Sequence, residues 1–296
     1  MADLRPMEFG EILDGGLQVF RRHFGLFLKL SLAVMWLPLA FSVYWRARFF
    51  GLQPTANPEQ TMAMIQSEFI PFFLWGLVWG VLYGAGMLLL TAGSIKIISD
   101  SYLGREPQFG DALGFGVGKI VPLFLVGLGK GLILFLLVLA CGLVFALTTA
   151  VGKGAGAVIA LLAFVEVIGM VWLFVYVACG YMMTTPVVVL ESLSSSFDSF
   201  GRSWEITKGA RGRVFGLVFV ATLLASVLPS IVLSAMGAFV VQIAPGAMFS
   251  WTILAAVLPI VLTPIVPCVL TLTYYDLRVR REGFDLQLLS EQLGSA

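Results

Sequence analysis

An all-α bundle of six transmembrane helices, paired into three hairpins, is the fold class this sequence predicts. Three observations point there. The 296-residue chain is 59% apolar and only 12% charged, against the roughly 25% charged residues of a soluble chain. Its mean hydropathy is +0.98, and the apolar residues gather into six runs that can each cross a hydrocarbon core, which takes about 20 helical residues. Lys and Arg are sorted between those runs instead of being spread evenly. Nothing alternates with the period of a barrel strand, so helices are the form that satisfies the backbone in lipid.

The runs lie at about 26–45, 70–97, 120–148, 156–183, 214–242 and 248–274. Thirteen cations fall on one side: Arg5, Arg21 and Arg22; Lys96, Arg105 and Lys119; Arg202, Lys208, Arg211 and Arg213; Arg278, Arg280 and Arg281. Three fall on the other, Arg46, Arg48 and Lys153, while Lys29 and Lys130 lie within runs. The bias predicts both termini in the cytoplasm. A net charge of +1 gives no electrostatic argument for nucleic acid.

The N-terminal arm, MEFGEILDGGLQVFRRHFGLFLKL, sets Phe9, Ile12, Leu13, Leu17, Phe20 and Phe24 at helical spacing. Glu11, Asp14, Gln18, Arg21 and Arg22 take the other face. That pattern predicts an amphipathic helix lying at the cytoplasmic interface ahead of the first span. The span itself ends in Tyr44, Trp45, Arg46 and Arg48, with no small-residue cleavage motif, and reads as a retained helix and not a signal peptide. Pro54, Asn57, Pro58 and Glu59 follow in the one external connection of any length.

In the second span Gly76, Gly80 and Gly84 recur at i, i+4 and i+8 beside Trp75, Trp79 and Tyr83. Small residues at this spacing let helices approach closely, within one chain or between two copies. Gly127 and Gly131 repeat the pattern more weakly. A second amphipathic segment, Phe109, Leu113, Val117 and Ile120 with Asp111 and Lys119 between, leads into the third span. A third, Leu193, Phe197, Phe200 and Trp204 opposite Asp198, Arg202, Glu205 and Lys208, leads into the fifth. Phe9, Phe20, Phe109, Phe197 and Trp204 are the interfacial anchors this pattern implies. The chain parses as a single polytopic domain, 1–296, of three repeats at about 1–98, 99–185 and 186–275 with a cytoplasmic tail at 276–296. The remaining external connections, VGKGAG at 151–156 and PGA at 245–247, are tight.

Lys130 and Glu166 stand out as charges inside spans. Each lies about ten residues into its own span, roughly 15 Å deep, which suggests matched depths and an ion pair between the third and fourth helices. Such a pair locks helix register, or alternatively marks an ion or polar-substrate path. Pro259, Pro264 and Pro267 bend or break the last span, and Pro38 and Pro229 kink others. Cys141, Cys179 and Cys268 lie in apolar runs and read as small buried hydrophobes. His23 is the one histidine, so a His triad or His-based metal cluster is excluded, and no catalytic set, metal site or cofactor is expected. Ser192, Ser194, Ser195, Ser196 and Ser199 read as turn and N-cap residues.

Three stretches carry a family resemblance: EILDGGLQVFRRHFG at 11–25, PVVVLES…FGRSWEITKG…RVFGLV at 186–218, and TLTYYDLRVRREGFDLQLL at 271–289. They resemble the bacterial polytopic family known as the glycerophosphodiester phosphodiesterase membrane domain. The family takes its name from members fused to a soluble phosphodiesterase, a domain these 296 residues do not contain. The resemblance implies a place in the bacterial cytoplasmic membrane, and it picks out Pro186, Glu191, Arg202, Ser203, Trp204, Gly209, Asp276, Arg278, Arg280, Glu282, Gly283 and Asp285. Of these, Glu191, Arg202, Asp276, Arg278 and Glu282 would share one shallow layer, predicting a cytoplasmic-face charge network. The function expected is a non-enzymatic scaffold or accessory subunit that organises lipid or partner proteins, including other membrane subunits or a second copy. The alternative is a small transporter or lipid-handling protein using Lys130 and Glu166.

Overall fold

The computed structural model describes residues 6–49, 58–151 and 156–283, and is all-α throughout them. Its six membrane-spanning segments are Phe24–Tyr44, Phe69–Tyr102, Phe109–Ala150, Gly156–Leu190, Arg211–Val240 and Ser250–Glu282. Asp285, the tail beyond 283, and the loop residues Pro54, Asn57 and Lys153 lie outside the described residues.

The chain opens with α1 (Phe9–Arg22), then α2 (Phe24–Phe49), α3 (Pro58–Tyr102) and α4 (Phe109–Val151). After α5 (Gly156–Gly180) come α6 (Thr184–Leu190), α7 (Asp198–Thr207) and α8 (Arg211–Thr222). A π-helical turn, Leu223–Val227, leads into α9 (Leu228–Ile243), followed by α10 (Met248–Leu262) and α11 (Ile265–Glu282). The first and third amphipathic segments are separate short helices, α1 and α7. The second is not: residues 109–120 run without interruption into α4, because nothing there ends a helix and Pro122 is absorbed within it.

Prolines set the other interruptions. Pro229 has no N–H to offer the Ala225 carbonyl, and its ring would crowd that carbonyl in a regular helix. The wider Leu223–Val227 turn precedes it directly. Between α10 and α11 the chain turns at Thr263 and Pro264, and Thr263 closes the end of α10 with its backbone N–H (3.0 Å) and Oγ1 (2.9 Å) on the Pro259 carbonyl.

Contacts group the chain into two compact units, each drawn from all three sequence repeats. The first contains residues 13–120 and 220–269. Its core joins Phe20 of α1, Phe27, Leu30 and Met35 of α2, Leu90, Ile97 and Ile98 of α3, and Ile265 and Cys268 of α11. Close approach here uses Gly93 and Gly116. A Cβ on Gly93 would lie 3.1 Å from the Ala112 carbonyl oxygen, and one on Gly116 3.0 Å from that of Leu89. Among the described residues nothing lies within 4 Å of where a Cβ on Gly76, Gly80 or Gly84 would be, so the stripe expected to serve packing or association of copies is not used in close approach there. The second unit contains the described residues 6–12, 121–151, 156–219 and 270–283. In it the α4–α5 hairpin has no buried residue over 127–150 or 156–178.

Candidate functional site

The second unit gathers most of the polar chemistry, and it does so around the break between α5 and α6. The α5 helix ends at Gly180, whose carbonyl is left without a partner from the next turn. The buried Ser203 Oγ of α7 donates to it at 2.7 Å, and the buried Thr207 Oγ1, whose shorter bond at 2.8 Å goes to the Ser203 carbonyl, stands 3.3 Å away. The approach works because residue 180 lacks a side chain. A Cβ there would stand 2.5 Å from Cζ3 of Trp204. The α7 helix then stops at Gly209, whose φ of 77° is the left-handed conformation that glycine adopts without strain.

Trp204, fixed by this contact, forms with Tyr176 the two walls of a right-angled aromatic slot, the rings lying 6.0 Å apart at 88°. The Arg211 guanidinium carbon lies 3.8 Å from the Trp204 ring centroid and 3.9 Å from that of Tyr176 on α5. Tyr181 packs against Trp204 with ring centroids 5.3 Å apart. Arg211 Nε and Nη1 are shielded and have no hydrogen-bond partner.

A ring of five side chains ties α6, α7 and α11 together. Glu191 Oε1 accepts from the Tyr274 hydroxyl at 2.7 Å. Arg278 Nη1 donates to that hydroxyl at 3.4 Å and its Nε to Glu282 Oε2 at 3.0 Å. Glu282 Oε1 pairs with Arg202 Nη2 at 2.6 Å, and Arg202 Nε returns to Glu191 Oε2 at 3.0 Å. Two cations and two anions balance. Burial alone would lower the Arg202 pKa, but the hydrogen bonds and charges of Glu191 and Glu282 outweigh it and hold the group above its usual value.

Asp276, also expected in the network, joins a second cluster instead. Residues 274, 278 and 282 share one face of α11 at four-residue steps, and 276 and 280 share another. The Asp276 carboxylate has no exposed side-chain surface. It accepts from Arg280 Nε at 3.0 Å on both oxygens and from the Met7 backbone N–H at 2.8 Å, and forms an ion pair with Arg213 Nη2 at 3.3 Å. The Met7 carbonyl in turn accepts from Arg280 Nη2 at 2.7 Å and from Arg213 Nη2. The N-terminal arm is thereby clamped by its own main chain.

Compared with family models, curated proteins and solved structures, the chain finds no match.

The other residues singled out by sequence are distributed as follows. The Lys130–Glu166 pair is not formed: both Glu166 oxygens are shielded and without a hydrogen-bond partner. The depths do not match when both helices are measured from their shared connection. Lys130 is then about 31 Å up α4 and Glu166 about 15 Å along α5, at 1.5 Å per residue. The neighbour of Lys130, Gly129, faces Phe197 and Phe200: a Cβ there would lie 3.1 Å from Phe200 and 3.4 Å from Phe197. Of the expected interfacial anchors, Phe9 and Phe197 are exposed, at 40% and 54%. Phe20 is buried in the core of the first unit, and Phe109 packs against that core, so neither is free to enter lipid. Trp204 is taken up by Gly180 and Arg211. The serines make turns, Ser199 Oγ donating to the Ser196 carbonyl at 2.6 Å, but Phe197, not a serine, occupies the α7 N-cap.

Tyr274, Arg213 and the Met7 backbone were not foreseen. Tyr274 had a signal, its place in the four-residue steps that lead to Arg278 and then Glu282. Main-chain recognition at Met7 leaves none.

Proposed function

We propose that the protein is a non-enzymatic integral membrane scaffold or accessory subunit of a bacterial cytoplasmic membrane, organising lipid or partner proteins at the inner leaflet. The observation that supports this is the closed, charge-balanced ring of Glu191, Tyr274, Arg278, Glu282 and Arg202. Each side chain in it is occupied by its neighbours, which suits a fixed platform better than a group that must bind and release. With the Asp276 clamp, the ring holds the N-terminal arm, the α6–α8 connection and the end of α11 in one arrangement. The α4–α5 hairpin rises from the same unit with its apolar surface turned outward. Under this reading α1 and α7 lie at the headgroup layer, with both termini cytoplasmic, as the bias of Lys and Arg favours.

The transporter alternative rested on a Lys130–Glu166 pair, which is not formed. Gentle solubilisation of the full chain, followed by native mass spectrometry, tests the scaffold reading. A lipid or second subunit should be retained in fixed proportion. Net uptake of a polar solute by proteoliposomes, with no retained component, would overturn it.

A further inference from the structure

We infer that one face of α2 seats an anionic phospholipid of the inner leaflet, with Lys29 on its phosphate. The helix divides into two sides. Phe27, Leu30, Ser31, Met35 and Pro38 are buried within the first unit. Gly25, Lys29, Leu32, Ala33, Trp36 and Ala40 are exposed, and their spacing places them within about 100° of the helix circumference, opposite the buried set. Lys29 is the one charge on that stripe. Among the described residues it makes no ion pair and no hydrogen bond, whereas Lys96 on α3 of the same unit has its own carboxylate, Asp100 Oδ1 at 2.7 Å. An ammonium on a lipid-facing surface without an anion of its own is costly, and it takes one from its surroundings.

Charge and depth together select a lipid. Lys29 lies roughly 8 Å inside the first span, which begins at Phe24. Helical side chains lean toward the N-terminus, so its stem passes over Gly25, one turn earlier, and carries the ammonium back toward the headgroup layer. Gly25 has no side chain to bar that path. Arg21 and Arg22, both exposed, end α1 just before it and add charge of the same sign. Complementarity therefore favours a headgroup of net negative charge, because a zwitterionic one brings a compensating cation with its phosphate. From Lys29 the stripe continues to Ala40, about 16 Å at 1.5 Å per residue, close to the ~15 Å of hydrocarbon in one leaflet. Every exposed residue below Lys29 on it is apolar, which suits the acyl chains of the same lipid and gives a soluble phosphate nothing to hold.

This inference rests on the scaffold reading, whose lipid it names by class and by seat. The full chain is reconstituted in phosphatidylcholine nanodiscs containing a phosphatidylglycerol that carries a diazirine, beside the headgroup in one preparation and at the end of an acyl chain in another. After photolysis the labelled peptides are identified by mass spectrometry. Headgroup label should fall within residues 21–29 and tail label within residues 32–40, and the matching diazirine phosphatidylcholine should label both about fivefold less. Lys29→Met should cut the headgroup label about fivefold, the weight of one cation beside an anionic headgroup, and Lys29→Arg should restore it. The labelling pattern of the unaltered protein decides the matter even if a variant fails to fold. Equal labelling by the two lipids, an unchanged Lys29→Met, or label confined to other segments overturns the inference. Crosslinks from this face to a co-purifying protein subunit overturn it as well, and leave the scaffold reading in place.

Discussion

Replacing Gly180 by alanine tests the packing on which the aromatic slot depends. The added methyl would meet the Trp204 ring at Cε3 and Cζ3, well inside van der Waals contact. An indole held against Tyr176 and Tyr181 cannot move aside as the tip of a flexible chain could. Trp204 and α7 must therefore shift by about an ångström, which stretches the Ser203 and Thr207 bonds to the Gly180 carbonyl. Overpacking costs about 1–3 kcal/mol, and each weakened buried hydrogen bond adds up to about 1 kcal/mol. The expected loss is about 2–4 kcal/mol, read as a lowered midpoint in SDS unfolding followed by circular dichroism. Combining Gly180→Ala with Trp204→Leu makes room for the methyl, so the pair should cost at least about 1 kcal/mol less than the sum of the single changes. A Gly180→Ala protein within about 0.5 kcal/mol of the unaltered chain would refute the reasoning, as would strict additivity with Trp204→Leu.

Further outcomes follow from the same contacts. Asp276→Asn leaves Arg213 and Arg280 without their shared anion and should cost about 2–3 kcal/mol, the partial exposure of both arginines keeping it below the cost of a fully buried pair, as SDS unfolding would show. Arg278→Glu should be only partly rescued by Glu282→Arg, because Glu282 also serves Arg202; full rescue would mean the ring is not coupled as described. Lys130→Met and Glu166→Leu should be additive within about 0.5 kcal/mol, since the two residues do not meet. His23 has a pKa depressed below 6.5, first by burial and then by the charge of Arg22. The unfolded chain therefore takes up the proton first, and stability should decline as pH falls from about 7 through the depressed value, a slope that His23→Gln removes.

The spans were legible because hydropathy is a property of long runs, and 20 apolar residues leave little choice. The second amphipathic segment is helical as its spacing predicts, but its boundary with the span is not a matter of spacing. Spacing of apolar residues in 109–120 reports a helix face, but whether that helix stops before the span depends on a terminator, and none is there. The Lys130–Glu166 depth was misjudged by measuring each residue from a different end of the hairpin, whereas only the connecting end is common to both helices. The Gly76–Gly80–Gly84 stripe states that close approach is permitted, and cannot say whether a neighbour takes it up. Within the charge layer, the residues of the quoted stretches gave four of the five ring members, missed Tyr274 and included Asp276, which belongs to the second cluster. Partition into two clusters came from the faces of α11, where 276 and 280 point away from 274, 278 and 282.

The grip on Met7 has its own consequence for how this chain can vary. Asp276, Arg213 and Arg280 hold that position by its amide N–H and carbonyl, groups that every residue but proline offers in full. Substitution there should be silent across most of the amino-acid alphabet, with proline as the exception because it has no amide hydrogen to give. A residue free to drift in sequence can thus be tightly constrained in space, and the tether it provides would be read from its three charged holders alone.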